Sequence, residues 1–306
     1  MIINLQLLVI CVLIYWAMRS EVMNGKNILL TGGGGFIGAN IRNCLIGMNC
    51  SVVTVSRSTS NSGHHVSLDL SKKKDVLKLI ESKGPFDVVI HCAAIAHGDR
   101  PPGGKSISEF NSSMVTNLSN AFGDSQPHWI FMSSVSVYGK IQDDTPTPIS
   151  IIPDAVDKYG QGKLDDELLL TKLCNRLDIF RLAPVYDSKH MNDIKKRVFI
   201  PKTNIKLIIR PSPYYTFCDV SIVGNKVLEC LSYSSGKNLH QVGDLKPMNQ
   251  HDLVKKFDGI SIIVPKLIFR FLVLVLPSKI GVCNIFINLL KKLAFNNIYE
   301  VGIKKL

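Results

Sequence analysis

Asn27-Ile-Leu-Leu-Thr-Gly-Gly-Gly-Gly-Phe-Ile-Gly38 is the stretch that decides the fold. The apolar run from Asn27 to Thr31 has the pattern of a buried strand, and Phe36 to Ile46 reads as a helix, so the glycines stand at a strand-to-helix turn. Glycine is required there because the backbone must bend sharply and come close to a ligand. The N–H groups and dipole at the start of the following helix then favour an anion such as a pyrophosphate. Two registers fit: Gly32, Gly35 and Gly38 as G-x-x-G-x-x-G, and Gly33, Gly35 and Gly38 as G-x-G-x-x-G.

Outward from this turn, strand and helix patterns alternate. Ser51 to Val55 reads as the second strand, followed by Val66 to Leu68, the continuous apolar run Asp87 to Cys92, then Trp129 to Met132 and Asp178 to Leu182. Helical stretches fill the gaps, among them Lys72 to Glu81 and Tyr159 to Leu173. This order predicts an α/β fold of the Rossmann type, a doubly wound parallel sheet. Beyond about Asp187 the alternation loosens into a basic stretch, a Pro-rich turn at Arg210-Pro-Ser-Pro213 and a helix from Val220 to Leu231. Three units are expected: a hydrophobic N-terminal segment at 1–22, a dinucleotide-binding domain at 23–186, and a smaller C-terminal substrate lobe with apolar helices at 187–306.

A second constellation carries chemistry. Tyr159 and Lys163 are four apart and so share one helix face. An ammonium beside a phenol stabilises the phenolate, lowering a pKa that is ordinarily about 10 towards the range useful for acid/base work. Ser134, expected on the loop after the strand Trp129 to Met132, could hydrogen-bond a substrate oxygen while the proton moves. With the glycine turn, this set points to oxidoreductase chemistry on a bound nicotinamide.

The chain resembles the extended short-chain dehydrogenases/reductases, specifically the NAD-dependent epimerase/dehydratase family acting on nucleotide sugars. The segments that carry the resemblance are TGGGGFIG at 31–38, LDLS at 68–71, DVVIHCAA at 87–94, SSVSVYG at 133–139, YGQGKLDDE at 159–167 and RLAPVY at 181–186. The resemblance implies that Ser134, Tyr159 and Lys163 are catalytic. It places Gly32, Gly35, Phe36, Ile37 and Gly38 against the cofactor, Asp69 and Leu70 beside the adenine, Ala93 and Ala94 along the cofactor, and Pro184 and Val185 beside the nicotinamide. It also implies a nucleotide-diphosphate sugar as substrate, pairing into a homodimer, and apolar C-terminal helices packed on the substrate lobe.

Charge is unevenly spread in this 306-residue chain of net charge +12. Lys189 to Arg210 holds seven Lys/Arg against Asp193 alone, and Ser261 to the end holds seven against Glu300 alone. The second half therefore suits an anionic partner such as a nucleotide-sugar diphosphate or an acidic membrane surface. Nucleic acid is a poor fit, because neither a basic helix nor an aromatic stacking platform is evident. The eight cysteines have no C-x-x-C pair, and His64, His65, His91 and His97 show no metal-ligand spacing. A reduced, cytoplasmic protein without a metal is expected. Ile2 to Met18 is uncharged and mostly aliphatic. It reads either as an anchor holding the protein to the inner face of the cell membrane, or as upstream sequence translated before a start at Met23.

Three functions are consistent with these residues. One is a nucleotide-sugar 4-epimerase working by transient hydride abstraction, in surface-polysaccharide precursor synthesis. The second is an NADP-dependent nucleotide-4-keto-sugar reductase, and the third a catalytically silent dinucleotide-binding sensor. The intact Ser-Tyr-Lys set argues against the sensor. Val135 and Ser136 stand where the family's dehydratases carry an acidic pair, which argues against a dehydratase. The cofactor is NAD or NADP: the epimerase resemblance favours NAD, while Ser56-Arg57 at the end of the second strand, with no carboxylate for the ribose, favours NADP. The narrow choice is the epimerase.

Overall fold

The computed structural model describes residues 24–58, 64–95, 101–139, 145–276, 287 and 290–306. The segment 1–22 and His97 lie outside the described residues. Within them the main elements are β1 (Asn27–Thr31), α1 (Phe36–Leu45), β2 (Ser51–Ser56), β3 (His65–Ser67), α2 (Lys73–Lys83), β4 (Val88–His91), α3 (Ile107–Phe122), β5 (His128–Ser134), α4 (Lys158–Leu173), β6 (Leu177–Leu182), β7 (Ile205–Arg210), α5 (Val220–Tyr233), β8 (Lys237–Val242), β9 (Ile260–Pro265), α6 (Lys266–Val275) and β10 (Gly302–Lys305).

Eight strands form one sheet in the order β10-β8-β6-β5-β4-β1-β2-β3. Every neighbouring pair is parallel except β10, which runs antiparallel along β8. Parallel strands covered on both faces are buried along their length, and the central ones are: all four residues of β4 and all six of β6 are buried, with His91, Asp178 and Arg181 the polar residues among them. Alternate side chains feed two separate cores. Ile28, Leu30 and Ile130 pack against Ile41 and Leu45 of α1 and Val223, Val227 and Leu231 of α5. Leu29, Val89, Trp129 and Phe131 pack on the other face against Val76 of α2, Phe110 and Leu118 of α3, and Leu170 of α4. The expected Rossmann-type doubly wound sheet is the observed one.

Strand order reverses at β1, which pairs with β2 on one side and β4 on the other. Connections leave this point in opposite directions, so a crevice opens beyond the strand carboxyl ends, where open α/β sheets bind ligands. Two details depart from expectation. Ser134 is the last residue of β5 rather than part of the following loop. The apolar run Ile260 to Leu276, expected as helix packed on the substrate lobe, begins as strand β9, parallel to β7, and only then becomes α6. β-branched Ile and Val crowd residues 260–264 and favour the strand. Packing of α6 is slight, with only Lys266 and Phe269 buried.

β8 and β10 come from beyond residue 186, so the central sheet draws on chain from both sides of that position. Among the described residues no helix is long and apolar enough to cross a membrane.

Candidate active site

Steric constraint selects one of the two glycine registers. Gly32 has φ of 69°, and a Cβ there would lie 2.7 Å from the Ala93 nitrogen. A Cβ on Gly38 would sit 2.2 Å from the Gly32 carbonyl oxygen, so Gly38 serves close packing of α1 on the turn. Gly33 instead faces Thr54 of β2, with its Cβ position 3.0 Å from the Thr54 Cβ. The turn therefore works as Gly32, Gly35 and Gly38. Helix α1 starts without a side-chain cap and has no acidic residue in its first turn. Its positive end is thus suited to an anion.

A cleft of about 510 Å³ opens beside the turn, walled by Gly32, Gly34, Gly35, Leu68, Leu70, Ala93 and Ala94. Arg57 lines it as well, its guanidinium 5.7 Å from the centre of the Phe110 ring. Asp69, which the resemblance implied beside the adenine, is not part of this wall, although Leu68 and Leu70 on either side of it are. Its carboxylate accepts the Ser71 N–H at 2.9 Å and caps the turn into α2, leaving the flanking leucines to form the surface.

A second cleft of about 720 Å³ holds Ser134, Tyr159 and Lys163 together with Phe36, Ile37, Pro184 and Val185. It shares Cys92 and Ala94 with the first, so the two are ends of one crevice. The structure thus brings the three catalytic candidates together with every cofactor candidate except Asp69 and Gly38. Those two shape the turns around the crevice.

Helix α4 carries Tyr159 and Lys163. Its N-cap, Asp157, accepts the Gly160 N–H at 2.7 Å. Beneath it, Glu167 accepts from the Ser133 hydroxyl at 2.5 Å and from Arg181 Nη2 at 2.7 Å, which fixes the helix on β5 and β6. Lys163 donates from Nζ to the Met132 carbonyl at 2.9 Å and lies over the Phe131 ring at 4.6 Å. Burial lowers its pKa, opposed by Asp166, Cys92 and Glu167. The expected depression of the Tyr159 pKa is reversed: burial, and after it Asp157 and Asp193, push the phenol up to about 12. Desolvation disfavours the phenolate, and two nearby carboxylates disfavour it further. Ser134 Oγ accepts the Ser136 N–H and donates to the Ser136 hydroxyl, both at 3.2 Å.

The same cleft is lined by residues that the motifs did not single out: Lys196, Arg197, Lys291 and Lys292, with Asn297 and Tyr299. Their signal in the sequence was the pair of basic surpluses, which two distant segments bring to one cleft. Asp157 and Asp193 are the carboxylates that share this cleft. Away from the crevice, Asp178 accepts from His128 at 2.7 Å and His240 at 2.6 Å, and also from Asn238, tying β5, β6 and β8 together. Cys230 joins Asp178 and His240 within 4.8 Å. Spacing could not reveal this group, because its members come from separate elements.

The NAD dependent epimerase/dehydratase family model matches residues 28–186. The chain belongs to this family. A Pisum sativum protein, bifunctional UDP-glucose 4-epimerase and UDP-xylose 4-epimerase 1, is 30% identical over an alignment of 166 residues that covers 47% of this chain and 46% of that protein. The chain thus matches about half the length of this curated relative. The Thermotoga maritima UDP-glucose 4-epimerase, solved with UDP-glucose, superposes with a TM-score of 0.66 at 18% identity and covers 90% of both chains. The Campylobacter jejuni UDP-Glc/GlcNAc 4-epimerase gives 0.66 at 17% identity, over 79% of this chain and 87% of that one. A dTDP-4-dehydrorhamnose reductase from Yersinia enterocolitica gives 0.59 at 20% identity, over 80% and 85%. At these identities the superpositions establish a shared fold. The family's nicotinamide dinucleotide suits the residues present, since the Gly32 and Gly38 cradle has no space for a Cβ and α1 begins uncapped.

Proposed function

We propose that this chain is a nucleotide-sugar 4-epimerase. The observation that carries the reading is the placing of Ser134, Tyr159 and Lys163 on one cleft that the cations Lys196, Arg197, Lys291 and Lys292 also line. A sugar held there by its diphosphate would present its ring hydroxyl to Tyr159. The bound dinucleotide supplies hydride acceptance and return. For Tyr159 to take the hydroxyl proton and give it back, its raised pKa must fall when the site fills, and the positive charge of buried Lys163 in the same cleft acts in that direction; Ser134 hydrogen-bonds the same oxygen. Gly32, Gly35, Phe36, Ile37, Leu70, Ala93, Ala94, Pro184 and Val185 form the dinucleotide surface, with the chain beyond residue 186, apart from β8 and β10 of the central sheet and α5 packed on it, supplying the sugar lobe.

Arg57 in the adenosine end of the crevice favours a second reading, an NADP-dependent nucleotide-4-keto-sugar reductase, since no carboxylate is present there for a ribose hydroxyl. Purifying the protein and identifying the dinucleotide it retains separates the two. Tightly held NAD, with interconversion of C4 epimers of a UDP-sugar, supports the epimerase. Exchangeable NADPH consumed in step with a 4-keto-sugar supports the reductase and rejects the epimerase.

A further inference from the structure

The apolar surface of α6 and β9 is out of keeping with a protein surrounded only by water. Leu267 is 74% exposed, Phe271 62% and Leu274 83%, and Ile268 and Val275 are also exposed. At about 100° per residue these five positions fall within a stripe roughly 120° wide on one side of the helix, opposite the buried Phe269. The adjoining strand adds exposed Ile260, Ile262 and Ile263. Eight large aliphatic or aromatic side chains thus lie uncovered within 16 residues, and patches of this kind mark interaction sites.

Charge around the patch selects the occupant. From Ile260 to Leu276 the chain carries Lys266 and Arg270 and no acidic residue. Exposed Arg270 borders the apolar stripe, and exposed Arg210 stands opposite Pro265 at the end of the β7–β9 pair. Exposed Lys255 and Lys256 precede β9, with Asp252 and Asp258 as the local counter-charges. An apolar stripe of Leu, Ile and Phe rimmed by cations is the pattern of a helix lying in the headgroup region of an anionic bilayer. A second copy of this chain would set the same cations against one another.

We propose that α6 and β9 form a docking surface for anionic lipid, on which the protein rests without spanning the bilayer. Leu267, Phe271 and Leu274 enter the acyl boundary, while Arg270 and Arg210 meet the lipid phosphates. This surface is separate from the crevice and does not depend on the reaction assigned there.

Flotation of the full chain with vesicles tests the proposal. Phosphatidylcholine vesicles with 30% phosphatidylglycerol should capture it at least tenfold better than pure phosphatidylcholine, and 0.5 M KCl should reverse most of the gain. The triple variant Leu267→Glu, Phe271→Glu, Leu274→Glu should lose at least tenfold in capture while keeping the parent melting temperature. Hydrogen exchange of the unaltered protein supplies an independent reading, with residues 260–276 protected by anionic vesicles. Capture undiminished in the triple variant would place the contact elsewhere, residues 1–22 included, and overturn the proposal. So would a lipid-free dimer that the triple variant dissociates, or unchanged exchange at 260–276.

Discussion

Arg181 grips Glu167 of α4, with Nη2 donating to Oε2 at 2.7 Å and Nε to Oε1 at 3.1 Å, both side chains almost fully buried. The bidentate geometry fixes the rotation of α4, and the Ser133 hydroxyl donates to the same carboxylate next to Ser134. Replacing Glu167 by Ala strands a buried guanidinium, a loss of about 3–5 kcal/mol. The urea midpoint should drop accordingly, and Glu167→Gln, which keeps the volume and part of the hydrogen bonding, should fall between the two.

Tyr159→Phe keeps the ring and removes the proton. Turnover should fall by roughly 10²- to 10⁴-fold, as expected for a lost acid/base, while dinucleotide binding persists. A variant retaining more than a tenth of the parent rate in a steady-state assay would rule out Tyr159 as the proton-transfer group.

Gly38→Ala tests the turn. The added methyl would meet the Gly32 carbonyl at 2.2 Å, so α1 must move off the turn. Dinucleotide affinity by calorimetry should fall at least tenfold. Gly34→Ala, whose nearest neighbour is the Ser56 hydroxyl at 3.4 Å, should retain the fold with a smaller effect.

Arg57→Asp addresses cofactor choice. A carboxylate at this edge of the cleft accepts a ribose hydroxyl and repels a 2′-phosphate. NADP affinity should fall and NAD affinity hold or rise. Unchanged titrations for both would place Arg57 outside cofactor recognition.

His91 sets a pH dependence. It is fully buried, bonded through Nδ1 to the Thr31 hydroxyl at 3.0 Å, and burial, followed by repulsion from Lys163, holds its pKa down to about 3. The unfolded chain binds this proton near pH 6.5, so its stabilising contribution is complete above that value. It is lost as pH falls from 6.5 towards 3, by up to about 1.4 kcal/mol per pH unit. Thermal melts between pH 7.5 and 5 should show the slope, and His91→Gln should flatten it.

Much of the cofactor half was legible because its signals are local. A strand, a glycine turn and a helix occupy consecutive residues, and Tyr159 and Lys163 meet by helix geometry alone. The register of the glycines was not legible, since choosing Gly32 over Gly33 depends on the approach of Ala93 just after β4 and of Thr54 from β2. The direction of the Asp69 side chain was not legible for a similar reason: the motif locates the residue, but its carboxylate turns to the Ser71 N–H.

Sequence by itself determined the doubly wound sheet, the glycine turn that opens α1 and the shared helix face of Tyr159 and Lys163, because periodicity and short-range spacing are properties of the chain. Tertiary structure decided the environment of those groups. Tyr159 is raised rather than lowered, since desolvation and the carboxylates of Asp157 and Asp193 act through space. The cationic lining exists only because residues 196–197 and 291–292, nearly a hundred positions apart, fold onto one cleft. The apolar run after Ile260 was equally ambiguous until folding left most of its side chains facing outward, since hydrophobicity records a preference for burial and not the partner that provides it.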